Sequence, residues 1–248
     1  MGIAAAIIEH LLVVYMVAVW PLMSRRRYQK LKRQLEQGDS SARPRVYRRM
    51  ILHQWTMVLL IAVILLLGGV SPAELGIRLP ADAGWSVEIL LILLAAVAGS
   101  GLVFRWKADR FVRLMLEGAR AILPATTRQR WGFVALAVGA GISEELVFRG
   151  FLIYYLALYF PRWPLNAQVL ATAAVFGCAH VYQGWRGIAG TGILGAAFAL
   201  LYLETGSLLV PIVTHTAIDL RVLLVLTPER MRLFGFSRDH QDRPSTAR

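Results

Sequence analysis

Met50–Val70, MILHQWTMVLLIAVILLLGGV, runs for 21 residues without a single Asp, Glu, Lys or Arg. An α-helix rises about 1.5 Å per residue, so about 20 such residues cross a hydrocarbon core of roughly 30 Å. The stretch predicts a membrane-spanning helix with His53 near one interface. Further apolar runs fall at 3–23, 86–104, 131–160, 165–182, 187–204 and 207–226, making seven in all. Backbone polar groups in lipid need internal partners, and a helix supplies them within one segment. The expected fold is all-α, a polytopic transmembrane helical bundle of about seven helices over residues 1–226, followed by a polar tail, 227–248, expected to be disordered.

Composition agrees with that reading. The chain is 57% hydrophobic and 17% charged, with a mean hydropathy of +0.55, which excludes an ordinary soluble domain. Its net charge of +12 is topological, because the basic residues gather in the gaps between apolar runs. Ten Lys/Arg lie between Ser24 and Arg49 and seven between Arg105 and Arg130, whereas the gap from Ser71 to Trp85 holds only Arg78. The positive-inside rule then expects the N-terminus outside and the C-terminus in the cytoplasm, with membrane lipids as neighbours and no nucleic-acid partner. The run 3–23 lacks a basic leader and a small-residue cleavage site, so it is expected to remain as a helix. Between Lys107 and Ile122, Phe111, Val112, Leu114, Met115 and Leu116 mix with Arg110, Arg113 and Arg120, a pattern that fits an interfacial helix or a solvated connector.

Cys178 is the only cysteine, which excludes a disulfide within the chain and any multi-cysteine metal site. The chemistry-bearing candidates lie in the core about 131–226. An ionisable side chain at membrane depth costs roughly 2.5 kcal/mol or more, so each one needs a partner or a purpose. In Gly141-Ile-Ser-Glu144-Glu145-Leu-Val-Phe-Arg149, Glu145 and Arg149 are four apart and share a helix face, where an ion pair satisfies both. Glu144 points about 100° away and remains available. Phe176-Gly-Cys-Ala-His180 and Pro211-Ile-Val-Thr-His215-Thr-Ala-Ile-Asp219 add two imidazoles and a carboxylate on two further helices. Cys178 and His180 are two apart and face differently, which disfavours a Cys–His dyad. Pro211 is expected to kink its helix.

Such a set suits amide hydrolysis, in which a carboxylate deprotonates water, a histidine orients it and protonates the leaving amine, and further donors stabilise the oxyanion. Glu144, His180 and His215 could instead hold a divalent metal such as zinc, and a proton or ion relay in a transporter needs only the ionisable groups. The residues alone leave these open. A packed, hydrogen-bonded histidine is an ordinary finding within a bundle, but two of them with a spare glutamate and an aspartate are less so.

Glu144-Glu145-xxx-Arg149, Phe176-xxx-His180 and His215-xxx-Asp219, in that order on successive helices, resemble the three motifs of the CPBP (CAAX protease and bacteriocin-processing, ABI-type) intramembrane endopeptidases. The resemblance covers about a third of the chain. It implies a membrane peptidase of a bacterial or archaeal cell, acting on a peptide or protein substrate that in the prenyl-protease branch is lipidated, with no cofactor in the glutamate mechanism. It also implies roles: Glu144 and His180 activate water, His215 and Asp219 form the oxyanion site, and Glu145, Arg149 and Phe176 support them. The family's usual residue at position 219 is asparagine, and an ionised aspartate there would repel an oxyanion. Helix parity sets His180 near a membrane face and Glu144 nearer the middle, so their meeting requires tilted helices or an inward fold of the segment after Tyr182.

Overall fold

The computed structural model describes residues 2–107, 109–227, 229 and 230. Among them every regular element is helical. Helix α1 spans Ile3–Glu36, α2 Ala42–Gly68 and α3 Ala83–Trp106; α4 is the short Asp109–Leu116. Helix α5 spans Thr127–Tyr159, α6 Leu165–Ala179, α7 Val181–Thr205 and α8 Leu209–Leu220. The protein is an integral membrane protein: α1, α2, α3, α5 and α7 are each long and apolar enough to cross a bilayer, and α6 and α8 carry the two remaining apolar runs as shorter helices.

The ends of these helices follow local chemistry. Asp82 caps α3 by accepting the Trp85 N–H, and Thr126 caps α5 by accepting the Gln129 N–H. Gly69 and Gly206 close α2 and α7 at φ 64° and 61°, a left-handed turn that favours glycine. The expected long basic loop after the first span is largely helix instead. Residues 24–36 are rich in Arg, Lys, Gln and Leu, good helix formers, so α1 continues beyond its apolar part and only 37–41 form the turn into α2.

Helices α6 and α7 form an antiparallel hairpin that the small residues make possible. A Cβ on Gly177 would lie 2.7 Å from the Ile188 carbonyl oxygen, and one on Gly195 would lie 3.1 Å from the Phe176 ring. Helix α5 passes through the middle, flanked by α2 and α8; Phe148, Phe151, Met16, Ile61 and Phe176 are fully buried around it. Outward faces are apolar and open, with Leu66 and Trp106 both more than four-fifths exposed, as lipid-facing surfaces are. In α4, Val112 is buried with Tyr47, Leu123, Phe133 and Leu226, so this connector packs on the bundle. Arg230 donates to Asp109 and to the carbonyls of Phe104, Arg105 and Lys107, tying down the end of α3. The rest of the expected tail lies outside the described residues.

Candidate functional site

Three helices converge where α5 ends its regular part. At Leu146–Phe151 the α5 backbone widens into a π-turn, a local unwinding often met at functional sites. Just before it stand Glu144 and Glu145, and within it Arg149. Arg149 donates through Nη1 to Glu145 Oε1 at 2.9 Å and through Nη2 to the Gly195 carbonyl at 3.1 Å. Both side chains are sealed from solvent, and the guanidinium also lies over the Phe176 ring, 4.4 Å from its centroid. The four-residue spacing that predicted the pair is what forms it.

His215 joins the same carboxylate. Its Nδ1 is 2.6 Å from Glu145 Oε1, an N–H donating to a carboxylate oxygen. Its ring stacks on Phe198 of α7 at a centroid distance of 5.1 Å and an interplanar angle of 17°. With Nδ1 engaged and the ring clamped, Nε2 is aimed at the remaining acids: 4.0 Å from Glu144 Oε2 and 3.9 Å from Asp219 Oδ2. Helix α8 can come this close because Gly141 faces it; a Cβ there would lie 2.1 Å from Thr216 Oγ1 and 3.0 Å from the Ile212 carbonyl oxygen. Pro211 does not kink α8. It is the third residue of the helix, where no intrahelical partner is lost.

His180 reaches Glu144 from the opposite side, Nε2 to Oε2 at 4.0 Å, while its Nδ1–H donates to the Phe176 carbonyl at 2.9 Å. Helix α6 has 15 residues, about 22 Å, shorter than a hydrocarbon core of roughly 30 Å, and ends at Ala179 just before His180. The turn is tight, one 3-10 turn at Val181–Gln183 before Gly184, at φ 78°, begins the return. Cys178 is exposed on the outside of the hairpin and takes no part.

Glu144, His180 and Tyr182 open onto a cavity of about 510 Å³ bounded by α1 and α2. Its walls include Trp20, Tyr28, Met50 and His53 together with Ser24, Arg27, Lys30 and Arg49, so the chamber combines aromatic and apolar groups with polar and basic ones. His53 is not merely interfacial: its Nε2 is 2.6 Å from the Tyr15 hydroxyl, and its ring meets Trp20 edge-on at 4.8 Å. The structure thus brings Glu144, His180, His215 and Asp219 to one place and sets Glu145, Arg149 and Phe176 directly behind them. Among the described residues no group of three His, Cys, Asp or Glu side chains forms a metal-holding cluster.

The region that builds this place is also the region that matches a known family. Residues 126–221 match the Rce1-like family model, type II CAAX prenyl endopeptidase Rce1-like. That is the family group the three motifs resemble, and the Rce1-like region covers α5 to α8 with every residue of the convergence. No curated protein and no solved structure matches the chain. Helices α1 and α2, which form the other wall of the cavity, lie outside the Rce1-like region. Phe198, the Gly195 carbonyl and Tyr182 entered the site without a sequence signal of their own. An aromatic or a glycine in a membrane helix is ordinary packing until a partner helix is placed against it.

Proposed function

We propose that the chain is an intramembrane endopeptidase of the CAAX-prenyl-protease type, in which Glu144 and His180 activate the attacking water. The observation that carries this reading is the 4.0 Å separation of Glu144 Oε2 and His180 Nε2 at the head of the cavity. That is too long for a direct hydrogen bond and suits two groups that share one water. Glu144 takes a proton from that water as its oxygen bonds to the scissile carbonyl carbon. Glu144 then returns that proton, relayed through His180 Nε2, to the departing nitrogen as the C–N bond breaks, and the products are a new carboxylate and a new amine. His215, held by Glu145 and Phe198, presents Nε2 to the carbonyl oxygen as charge develops there. Asp219, 3.9 Å from that nitrogen, orients the ring, since an ionised carboxylate facing the oxyanion would repel it.

Two ligands at about 2.0–2.2 Å from one tetrahedral zinc stand closer together than the 4.0 Å that separates Glu144 from either histidine. The ten Lys/Arg between Ser24 and Arg49 support a cytoplasmic position for the cavity mouth beside them and, by helix parity, for the C-terminus. The apolar part of the walls, Trp20, Met23, Leu31, Val46, Met50 and Leu52, suits a peptide carrying a lipid. Comparative proteomics of membranes carrying wild-type or Glu144→Gln protein tests the reading: new peptide termini should appear only with wild type. Activity of the purified protein should also survive chelation; identical termini with both proteins, or loss on chelation restored by zinc, overturns the glutamate assignment.

A further inference from the structure

One histidine of the bundle is gripped on two sides and still carries a donor that no protein group receives. Of the four histidines among the described residues, His10 and His180 bond Nδ1 to the carbonyl four positions earlier, at 2.7 and 2.9 Å, and His215 bonds Nδ1 to Glu145. His53 differs. Its one hydrogen bond among the described residues is at Nε2, to the Tyr15 hydroxyl at 2.6 Å. Tyr15 has no other hydrogen-bond partner there, so its O–H donates to Nε2 and the ring proton sits on Nδ1. That Nδ1–H is open rather than sealed, and His53 lines the chamber onto which Glu144 and His180 open.

The grip on His53 is built by the backbone of α1. Residues Tyr15–Val19 form a second π-turn, in which the Trp20 N–H bonds to the Tyr15 carbonyl five residues back. In a regular α-helix residues five apart stand about 140° from one another, and the wider turn brings them nearer to alignment. Tyr15 and Trp20 thus both reach His53, the first through its hydroxyl and the second ring to ring, edge-on at 4.8 Å. Two further contacts set its level in the bundle. Gln54 donates to the Leu136 carbonyl at 3.2 Å, and Trp20 packs on Phe148 at 5.4 Å. Glu144 lies between Leu136 and Phe148 on α5, so His53 stands on the α2 wall within the stretch of the bundle that contains Glu144.

A structural link between α1 and α2 is complete with the Nε2 bond and the Trp20 contact; the oriented Nδ1–H is left over. Once substrate displaces water from the chamber, that donor needs an acceptor, because an unpaired buried donor is unfavourable. A peptide held at Glu144 and His180 brings one backbone carbonyl per residue, every 3.3–3.6 Å or so along an extended chain. We propose that His53 donates its Nδ1–H to a backbone carbonyl of the bound substrate other than the one that is cleaved, with Tyr15 and Trp20 as positioning residues. This rests on the peptidase reading and deepens it with a substrate-binding group outside the 126–221 stretch that matches the Rce1-like family.

The probe is a farnesylated peptide and a series of its thioamides, in which each backbone carbonyl in turn becomes a thiocarbonyl, similar in shape and a poorer acceptor. Binding is measured to the full chain carrying Glu144→Gln, and kcat and KM to the chain with Glu144 intact. One thioamide away from the scissile bond should bind about two- to tenfold more weakly than the parent, the range of one net hydrogen bond. His53→Phe, which keeps a ring against Trp20, should bind both alike. With the parent peptide it should raise KM by the same factor and hold kcat within about twofold, the pattern of a contact made equally in ground and transition states. His53→Asn, whose amide N–H falls near the place of Nδ1, should recover part of the discrimination, and Tyr15→Phe, which frees the ring to take the other tautomer, should lose part of it. A series in which no thioamide is disfavoured, or one disfavoured equally with and without His53, overturns the proposal. His53-dependent discrimination in binding with no cleavage by wild type would keep it and remove the peptidase reading; cleavage with kcat and KM untouched by His53→Phe does the opposite.

Discussion

On the α8 side of α5, Glu145 is fully enclosed and its Oε1 is shared by Arg149 and His215 at 2.9 and 2.6 Å; one residue earlier, on the cavity side, Glu144 meets His180 and His215 only at 4.0 Å. The two carboxylates are chemically identical and adjacent in the chain. A helix turns about 100° between them, and that rotation delivers one to a sealed ionic cluster and the other to a chamber wall. The difference teaches how a membrane protein keeps a reactive acid. The first carboxylate satisfies the arginine and the histidine, and the second is left with neighbours near enough to share a water and too far to bond to it directly.

The sharpest way to break this comparison is to exchange the fates of the two acids. Glu144→Gln should lower cleavage by about 10²–10⁴-fold, the usual contribution of a general base, with a thermal unfolding midpoint in detergent close to wild type. Arg149→Met should do the reverse. It leaves Glu145 buried without its partner, a change that costs about 3–5 kcal/mol where one half of a buried pair is removed, and the midpoint should fall clearly. Should Glu144→Gln destabilise the protein as much as Arg149→Met does, the division into a structural and a chemical acid is wrong.

How this division could be read from the chain, and where the reading ran out, follows from the range of each interaction. Glu145 with Arg149, and His215 with Asp219, are four residues apart on one helix, and helix geometry alone brings them together. The Glu145–His215 bond spans 70 positions and two helices, and the Phe198 stack depends on how α7 lies against α8; no periodicity encodes either. The seven apolar runs were legible because lipid demands length and hydropathy. The shortness of α6 and the helical course of residues 24–36 were not, since hydropathy marks where lipid is and not where a helix ends. The expected kink at Pro211 failed because its effect depends on position within the helix, which only the start at Leu209 decides.

A smaller perturbation sharpens the comparison from the backbone side. The approach of α8 to α5 that sets His215 against both acids depends on Gly141, where a methyl group would meet Thr216 Oγ1 at 2.1 Å and the Ile212 carbonyl at 3.0 Å. The hydroxyl can rotate away; the carbonyl belongs to a helix backbone and cannot. Gly141→Ala should cost about 1–3 kcal/mol, as overpacking does, and should reduce kcat although no reacting group is altered. An unchanged kcat would mean that the placement of His215 matters less to the chemistry than its contacts suggest.

The smallest effect is expected at Cys178, two residues from His180 in the same helix turn region. Its thiol is the sort of group that invites a nucleophilic reading beside a histidine. Yet His180 turns inward, with Nδ1 bound to the Phe176 carbonyl and Nε2 towards Glu144, while Cys178 is exposed on the outer face of α6. Cys178 lies in the last turn of α6, whereas His180 is the residue that ends the helix, at φ −97° and ψ 18°. Cys178→Ala should therefore leave cleavage unchanged and stability within about 0.5 kcal/mol, the ordinary range for a surface substitution. A large loss of cleavage in that variant would move the nucleophile from water to sulfur and transfer the role of His180 from orienting the water to activating a thiol.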